Sequence, residues 1–339
     1  MDSVTQIVLG SAVGYAFLGR RLGRKALLVG AGFGTLPDLD VLIDFGGTIE
    51  NFVSHRSFSH SLIVQLLLSP LFAWALQLFR FAKVVTFKQL SLAVFLILCT
   101  HSLLDSFTVY GTQLLWPLTD YPFGISSIFI IDPFYTLPLL ISTFAICFIR
   151  IKPYANKINV TALSVSSLYL TWGLVAKWHI DNKIAHSLAN QAITYQSFES
   201  TPSPFNTLLW RAVAMTEKGH FEIYASIFDS SDEVSFRFIK TENALLDSLP
   251  KSERVNNLIS FTKGLYGVYV NNQQVIISDL RMGVEGAYVF SFVVGEQAQH
   301  GFVKGDYTQL DIRPPLNKVG LIFERITDPD INLYDLTAQ

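Results

Sequence analysis

The sequence predicts an α-helical, multi-pass membrane domain of about six helices, followed by a soluble α+β domain built largely from antiparallel strands. Composition is the first observation, since half of the 339 residues are hydrophobic and only 15% are charged, against roughly 25% in a typical soluble domain. The second is that long apolar runs occur only before Trp178, whereas alternating apolar residues follow it. The predicted domains are therefore residues 1–178 and residues 179–339.

Four apolar runs in the first domain are each close to the roughly 20 residues that a helix needs to cross a bilayer. These runs are residues 62–79, 90–104, 128–149 and 160–176. Two weaker segments, residues 7–18 and 26–43, precede them and contain glycines four residues apart. That spacing lets helix backbones approach closely, so we predict two further helices inside the bundle. The alternative, suggested by their length, is that one or both are interfacial or re-entrant.

Charged residues in the loops indicate the orientation. Basic residues occupy the connections between the first and second, third and fourth, and fifth and sixth segments: Arg20, Arg21, Arg24, Lys25, Arg80, Lys83, Lys88, Arg150, Lys152 and Lys157. The positive-inside rule makes these loops cytoplasmic. We therefore expect a membrane protein whose C-terminal domain lies outside the cytoplasm. The net charge of −2 gives no sign of a nucleic-acid partner. The predicted partner is the lipid bilayer, because of the long apolar runs, and the oligomeric state is left open.

Three short clusters of potential metal ligands fall at the predicted outer edge of this bundle. They are Asp38 and Asp40 in PDLD, His55 and His60 in HRSFSH, and His101 and Asp105 in HSLLD. Imidazole and carboxylate groups are ligands of divalent cations, and an unpaired charge beside apolar sequence is costly. His101 and Asp105 are four residues apart and share one helix face. Pro37 disfavours helix at Leu36, so the chain is expected to break there.

Each cluster also has a purely structural interpretation. The Asp pair after Pro37 could turn and cap the chain, His55 could be a solvated loop residue, and His101 with Asp105 could form an intrahelical pair. For each cluster alone, the structural interpretation is about as well supported as the interpretation that the residues form a metal site. For the three clusters together it is weaker, because three separate helix ends would have to carry potential metal ligands on the same side by accident.

Several motifs resemble one bacterial family in order and spacing. They are MDSVTQIVLGSAVG, RRLGRKA, GTLPDLD, HRSFSHS, THSLLDSFTVYGTQLLWPLTDYPF and SIFIIDPFYTLPLL. This part of the chain, up to about residue 150, resembles the YdjM-type family of membrane-bound predicted metal-dependent hydrolases, itself distantly similar to zinc-dependent phospholipase C. The resemblance implies an all-helical site of His and Asp ligands and assigns the six residues above to it. Gln6 stands where many relatives have His, and Tyr15 where an acidic residue is common.

These observations give a functional hypothesis. The six residues are predicted to hold divalent metal, with zinc favoured and manganese or magnesium as alternatives, and either Asp40 or Asp105 is predicted to be a catalytic base. The protein would then be a metal-dependent hydrolase of a phosphoester or lipid-linked ester at the outer membrane face. The alternatives are an envelope sensor with a structural metal and an ion conduit.

The second domain shows no ligand spacing among its histidines, His179, His186, His220 and His300. Alternation predicts strands within residues 208–215, 221–228, 234–239, 267–270, 275–278, 288–294 and 318–325. Residues 242–261 are predicted to form one or two helices and residues 201–204 a turn. Asn271 and Asn272 predict a hairpin turn.

Overall fold

The computed structural model describes residues 1–149, 151–231, 233–299, 301–312 and 318–335. Arg150 and His300 lie outside the described residues. The chain forms two compact units: residues 1–43 and 55–174 make the first, and residues 44–54 together with the chain from Val175 onwards make the second. The division at Trp178 suggested by the sequence did not foresee that residues 44–54 pack with the second unit.

Helices make up the first unit. They are α1 (Ser3–Leu22), α2 (Lys25–Thr35), α4 (Leu62–Gln77), α5 (Phe87–Ser106), α6 (Pro133–Phe148) and the first part of α7 (Lys152–Asn190), while α3 (Thr48–Ser54) belongs to the second unit. Within the described residues, buried apolar side chains from α1, α2, α4, α5, α6 and α7 form two hydrophobic clusters in this unit. The all-helical expectation for this region is confirmed.

Among the described residues, two helices, α5 and α7, are long and apolar enough to cross a membrane. The number rises to three if the chain from Thr48 to Gln77 counts as one broken span, and α6 is a shorter apolar helix. The prediction of about six spans is therefore not supported. The structure supports a helical N-terminal region with two or three candidate spans among the described residues.

Helices α1 and α2 pack with their backbones in close approach. A Cβ on Gly10 would lie 2.4 Å from the carbonyl oxygen of Gly30, and one on Gly30 would lie 2.1 Å from that of Gly10. Both distances are far below van der Waals contact, so any side chain there would push the helices apart. The close packing predicted from the glycine spacing is confirmed.

Helix α2 ends just before PDLD. Leu36 still has helical backbone angles, but the α-helix stops at Thr35 and a 3₁₀ turn runs from Pro37 to Leu42. The α-helix therefore ends before PDLD, as predicted, but Leu36 itself keeps helical angles and leads directly into the 3₁₀ turn. HRSFSH is likewise irregular, with Arg56 at φ 64° and a 3₁₀ turn over Phe58–His60.

The second unit contains two four-stranded antiparallel sheets, with strand orders β1-β2-β3-β4 and β10-β9-β6-β5, and the small pair β7-β8. The strands are β1 (Ser197–Pro202), β2 (Leu209–Thr216), β3 (Gly219–Ser226), β4 (Phe236–Lys240), β5 (Tyr266–Asn271), β6 (Gln274–Asp279), β7 (Gly283–Val284), β8 (Ala287–Tyr288), β9 (Ser291–Ala298) and β10 (Gly301–Lys304). The expectation of an α+β, antiparallel domain is confirmed.

Local predictions in this unit had mixed outcomes. The hairpin turn is confirmed with a shift of one residue, since Asn272 and Gln273 have φ 49° and 66°. Residues 242–261 form a 3₁₀ turn (Asn243–Ser248) and helix α8 (Glu253–Phe261), as predicted. The strand predicted at 318–325 is wrong, because Val319–Arg325 is helix α9. Thr201 and Pro202, predicted as part of a turn, end strand β1.

Residues 44–54 are held in the second unit by aromatic and ionic contacts. The Phe52 ring centroid lies 5.0 Å from that of Phe261 and 4.5 Å from that of Phe290. Glu50 forms an ion pair with Arg254 at 2.5 Å. Phe52 is buried to 4% exposure, so burial of this ring fixes the segment that joins PDLD to HRSFSH.

Candidate metal centre

Four of the six predicted ligands meet in one place in the first unit. Asp38, His60, His101 and Asp105 each offer one ligand atom, and these atoms all lie within 4.8 Å of one another. His60, His101 and Asp105 are at most 1% exposed, whereas the Asp38 side chain is 19% exposed. The four residues come from the 3₁₀ turn after α2, the 3₁₀ turn before α4 and the C-terminal turns of α5.

The separations of these atoms fit a tetrahedral ion. His60 Nε2 lies 3.1 Å from His101 Nε2, 3.2 Å from Asp105 Oδ2 and 3.5 Å from Asp38 Oδ1. His101 Nε2 lies 3.4 Å from Asp38 Oδ1 and 3.5 Å from Asp105 Oδ2. Zinc bonds of about 2.0–2.2 Å to nitrogen and oxygen give a tetrahedron with edges of about 3.3–3.6 Å. Three of the five distances lie in this range, and the two of 3.1 and 3.2 Å from His60 Nε2 are slightly shorter, so the arrangement is close to a zinc tetrahedron.

Both imidazoles turn the same nitrogen toward the centre. His101 Nδ1 lies 2.7 Å from the Gly34 carbonyl oxygen, which only accepts, so the neutral ring carries its proton on Nδ1. Ser59 Oγ donates to Asp40 Oδ2 at 2.6 Å and lies 2.9 Å from His60 Nδ1, so it accepts from that nitrogen. In the neutral rings each Nε2 then carries a lone pair directed at the other, an arrangement that a bound cation would stabilise.

Asp105 supplies the buried charge of the site. Its Oδ1 accepts from the Gln6 amide at 2.9 Å and from the amino group of Met1. Its Oδ2 faces both imidazoles and has no hydrogen-bond partner within the described part of the chain, although Arg56 Nε lies 3.3 Å away. A buried carboxylate oxygen left without a partner is costly, and a metal ion bonded to Oδ2 would remove that cost.

The other two predicted ligands, Asp40 and His55, lie beside this group and pair with each other. His55 Nδ1 is 2.7 Å from Asp40 Oδ1, while Asp40 Oδ2 accepts from the Arg56 backbone N–H and the Ser59 hydroxyl. In a 3₁₀ turn, with about three residues per turn, positions two apart point in different directions. This is why Asp38 faces the imidazoles while Asp40 faces His55.

Comparison with known proteins agrees with the resemblance seen in the sequence. The family described as YdjM inner membrane protein matches residues 1–180. The chain belongs to this family. It is also 23% identical over 309 residues to a Bacillus subtilis (strain 168) protein named "Uncharacterized protein YfhP", with 87% of this chain and 90% of that one covered. No solved structure matches the chain.

The YdjM match spans every residue of the metal centre, and it also spans polar groups that the sequence reasoning did not place there. Gln6, 1% exposed, contacts Asp105 through its amide. Arg56, in the irregular HRSFSH segment, is 3% exposed and lies over the Tyr110 ring at 5.0 Å. A polar side chain in an otherwise apolar helix was the signal for Gln6; nothing in the local sequence marked Arg56 as buried.

Asp132 has a structural role at the start of α6. Its carboxylate accepts from the Phe134 backbone N–H at 3.0 Å and from the Tyr169 hydroxyl at 2.9 Å. It therefore caps the N-terminus of α6, where a negative charge is favoured by the helix dipole.

Proposed function

We propose that this YdjM-family protein is a membrane-bound, metal-dependent hydrolase acting on a phosphoester or lipid-linked ester at the outer face of the bacterial inner membrane. The observation that supports this best is the nearly tetrahedral spacing of four ligand atoms, from Asp38, His60, His101 and Asp105. One of them, Asp105 Oδ2, lacks a hydrogen bond within the described part of the chain. The one-sided distribution of basic loop residues supports the orientation, with the second unit outside the cytoplasm.

Zinc is the metal that this set of atoms fits best. Two imidazole nitrogens and two carboxylate oxygens at tetrahedral spacing are typical of zinc, whereas magnesium prefers six oxygens in an octahedron. Manganese is the second choice. A divalent ion here makes hydroxide available near neutral pH and polarises a phosphoryl or acyl oxygen.

The geometry favours different roles for Asp40 and Asp105, the two predicted catalytic residues. Asp40 Oδ1 accepts from His55 Nδ1 at 2.7 Å, which leaves His55 Nε2 able to take a proton. The His55 side chain is 24% exposed, so it can exchange that proton with solvent. We therefore assign His55 as general base, with Asp40 as the residue that orients it. Asp105, fully buried and facing the imidazoles, serves as a ligand in this proposal.

A structural metal is the second candidate role, and one observation favours it. Four protein atoms close a tetrahedral site, while catalytic zinc sites usually have three protein ligands and an open position. With Asp38 bound, the protein would be an envelope sensor whose metal only holds PDLD, HRSFSH and HSLLD together. Asp38 is the most exposed of the four, so a hydrolase would open its coordination position there.

The test is hydrolysis by the full-length protein purified in detergent. We expect zinc to bind, a chelator to abolish hydrolysis of a chromogenic phosphoester or acyl ester, and added zinc to restore it. Protein that binds zinc but is inert toward all of these esters would leave the structural role. Protein that binds no divalent ion would overturn both candidates.

A further inference from the structure

An apolar groove runs beside the metal centre in the first unit. It has a volume of about 220 Å³, and its walls include Leu36, Leu39, Leu68, Phe72 and Leu98. Val64, Leu68 and Phe72 follow one another at intervals of four residues along α4, so they form a single stripe on that helix. The groove is thus lined by apolar side chains along most of its length.

Polar lining residues connect the groove to the ligand group. Asp40 and Ser59 both line it; Ser59 Oγ is 2.9 Å from His60 Nδ1, and Asp38 lies between the lining residues Pro37 and Leu39 in the chain. A molecule in the groove would therefore have its apolar part against α4 and its polar end at the proposed metal.

The size of the groove limits what it can hold. Pockets that enclose a whole drug-sized ligand measure about 300–1,000 Å³, so about 220 Å³ suits part of a molecule. One unbranched alkyl chain fits an apolar groove of this volume. Leu39 and Leu68 are 47% and 38% exposed, which leaves the groove open to the lipid that surrounds a membrane helix.

We infer that this groove binds the alkyl chain of a membrane lipid ester whose phosphoryl or acyl head lies at the metal centre. This inference rests on the proposed function and adds a substrate class to it. Charge complementarity supports it, because an anionic head meets the proposed cation while the tail meets mostly apolar walls. A short, water-soluble ester would use the metal centre without using the groove.

The experiment compares Leu68→Trp, which fills the groove, with Leu67→Trp. Leu67 is the neighbouring residue on α4, is 72% exposed and does not line the groove, so its variant is the matched control. The probe is a long-chain alkyl phosphonate with a photoreactive group at the chain end, applied to zinc-loaded protein in nanodiscs. A second probe with a neutral alcohol head and the same chain measures labelling by bulk lipid.

We expect the phosphonate probe to label α4 or residues 36–43 in wild type and in Leu67→Trp. Leu68→Trp should bind it about tenfold more weakly, equivalent to about 1.4 kcal/mol or about two methylene groups withheld from apolar surface. Equal labelling in the two variants, or equal labelling by the neutral probe in wild type, would overturn the inference.

Hydrolysis of a short-chain ester by the same proteins separates this inference from the proposed function. If Leu68→Trp hydrolyses the short-chain ester normally and loses the long-chain one, the groove assignment holds. If long-chain and short-chain esters are affected alike, the groove assignment falls while the hydrolase proposal stands. If wild type hydrolyses neither, the proposed function fails, and with it the substrate assignment of the groove.

Discussion

His60 Nε2 and His101 Nε2 lie 3.1 Å apart, while the Nδ1 atoms of the same two rings are engaged by Ser59 Oγ and the Gly34 carbonyl oxygen. Neither ring can rotate without losing its outer hydrogen bond. These two outer hydrogen bonds therefore fix both rings with Nε2 facing the proposed metal, as partners of metal-binding histidines generally do.

His101→Ala should lower the bound zinc of the purified protein by about tenfold or more, because loss of a ligand or of its hydrogen-bond partner generally has that effect. Metal content by mass spectrometry is the measurement. His179→Ala, the same change at an exposed histidine outside the site, is the control and should leave zinc unchanged. Equal zinc in both variants would exclude His101 as a ligand.

Asp40→Asn should leave the fold intact and reduce hydrolysis by about 10²–10⁴-fold, since the amide keeps the shape of the side chain but lacks the carboxylate charge that stabilises a protonated His55. Bound zinc should change little. Asp38→Asn should instead lower bound zinc, because the amide is a poorer ligand. Asp44→Asn, in the exposed connection after the 3₁₀ turn, serves as the control. Full activity in both site variants would contradict the proposed roles.

The orientation can be measured with reporters. A periplasmic reporter fused after Gln339 should be active, and a cytoplasmic one inserted near Phe81 should be active, because the basic loops hold the cytoplasmic side. The reverse pattern would place the metal centre at the inner face and remove the outer-face part of the proposal.

The second unit should lose stability as the pH falls from about 6.5 toward 3. Burial, with a further contribution from the Arg211 charge, lowers the pKa of His220 to about 3, against about 6.5 in the unfolded chain. Between these values the unfolded state binds more protons, so the free energy of unfolding falls by at most about 1.4 kcal/mol per pH unit from this group. His220 also contacts the Tyr288 hydroxyl, and Glu222 lies on the same strand β3.

His220→Gln removes that proton uptake while keeping a polar group opposite Tyr288. Thermal unfolding followed at about pH 7 and about pH 5 should show a smaller acid-induced drop for His220→Gln than for wild type. His179→Gln, at an exposed position, should behave as wild type. The same acid-induced drop in His220→Gln would mean that other groups cause it.

The candidate site was predictable where its chemistry is local. Composition and loop charge indicated a membrane helix domain, and the spacing of His101 and Asp105 put both on one face of α5, as observed. What the sequence could not provide is the difference between Asp38 and Asp40, because that depends on the 3₁₀ geometry after Pro37. The positions of His55 and His60 likewise depend on the positive φ of Arg56.

The other errors of the sequence analysis have two causes, long-range contacts and apolar patterns that fit more than one structure. Gln6 reaches Asp105 across α1 and α5, a contact that no short window of sequence records. Residues 319–325 form helix α9, although the apolar spacing there also fits a strand, because a short apolar run does not distinguish the two. The spans were overcounted because apolar character alone does not separate a short buried helix from a crossing one.

The anchoring of Phe52 in the second unit has a consequence for dissecting this protein. Residues 44–54 leave the chain directly after PDLD and return to it directly before HRSFSH. A protein truncated after Trp178 would keep all four ligands, yet it would expose Phe52 and lose the Glu50–Arg254 ion pair. The stretch between the two ligand clusters would then be an unanchored loop. The free-energy cost of closing such a loop rises by only about 0.6 kcal/mol for each doubling of its length. Removing the second unit would therefore also remove the contacts that hold the segment connecting PDLD to HRSFSH, the two motifs that supply Asp38 and His60.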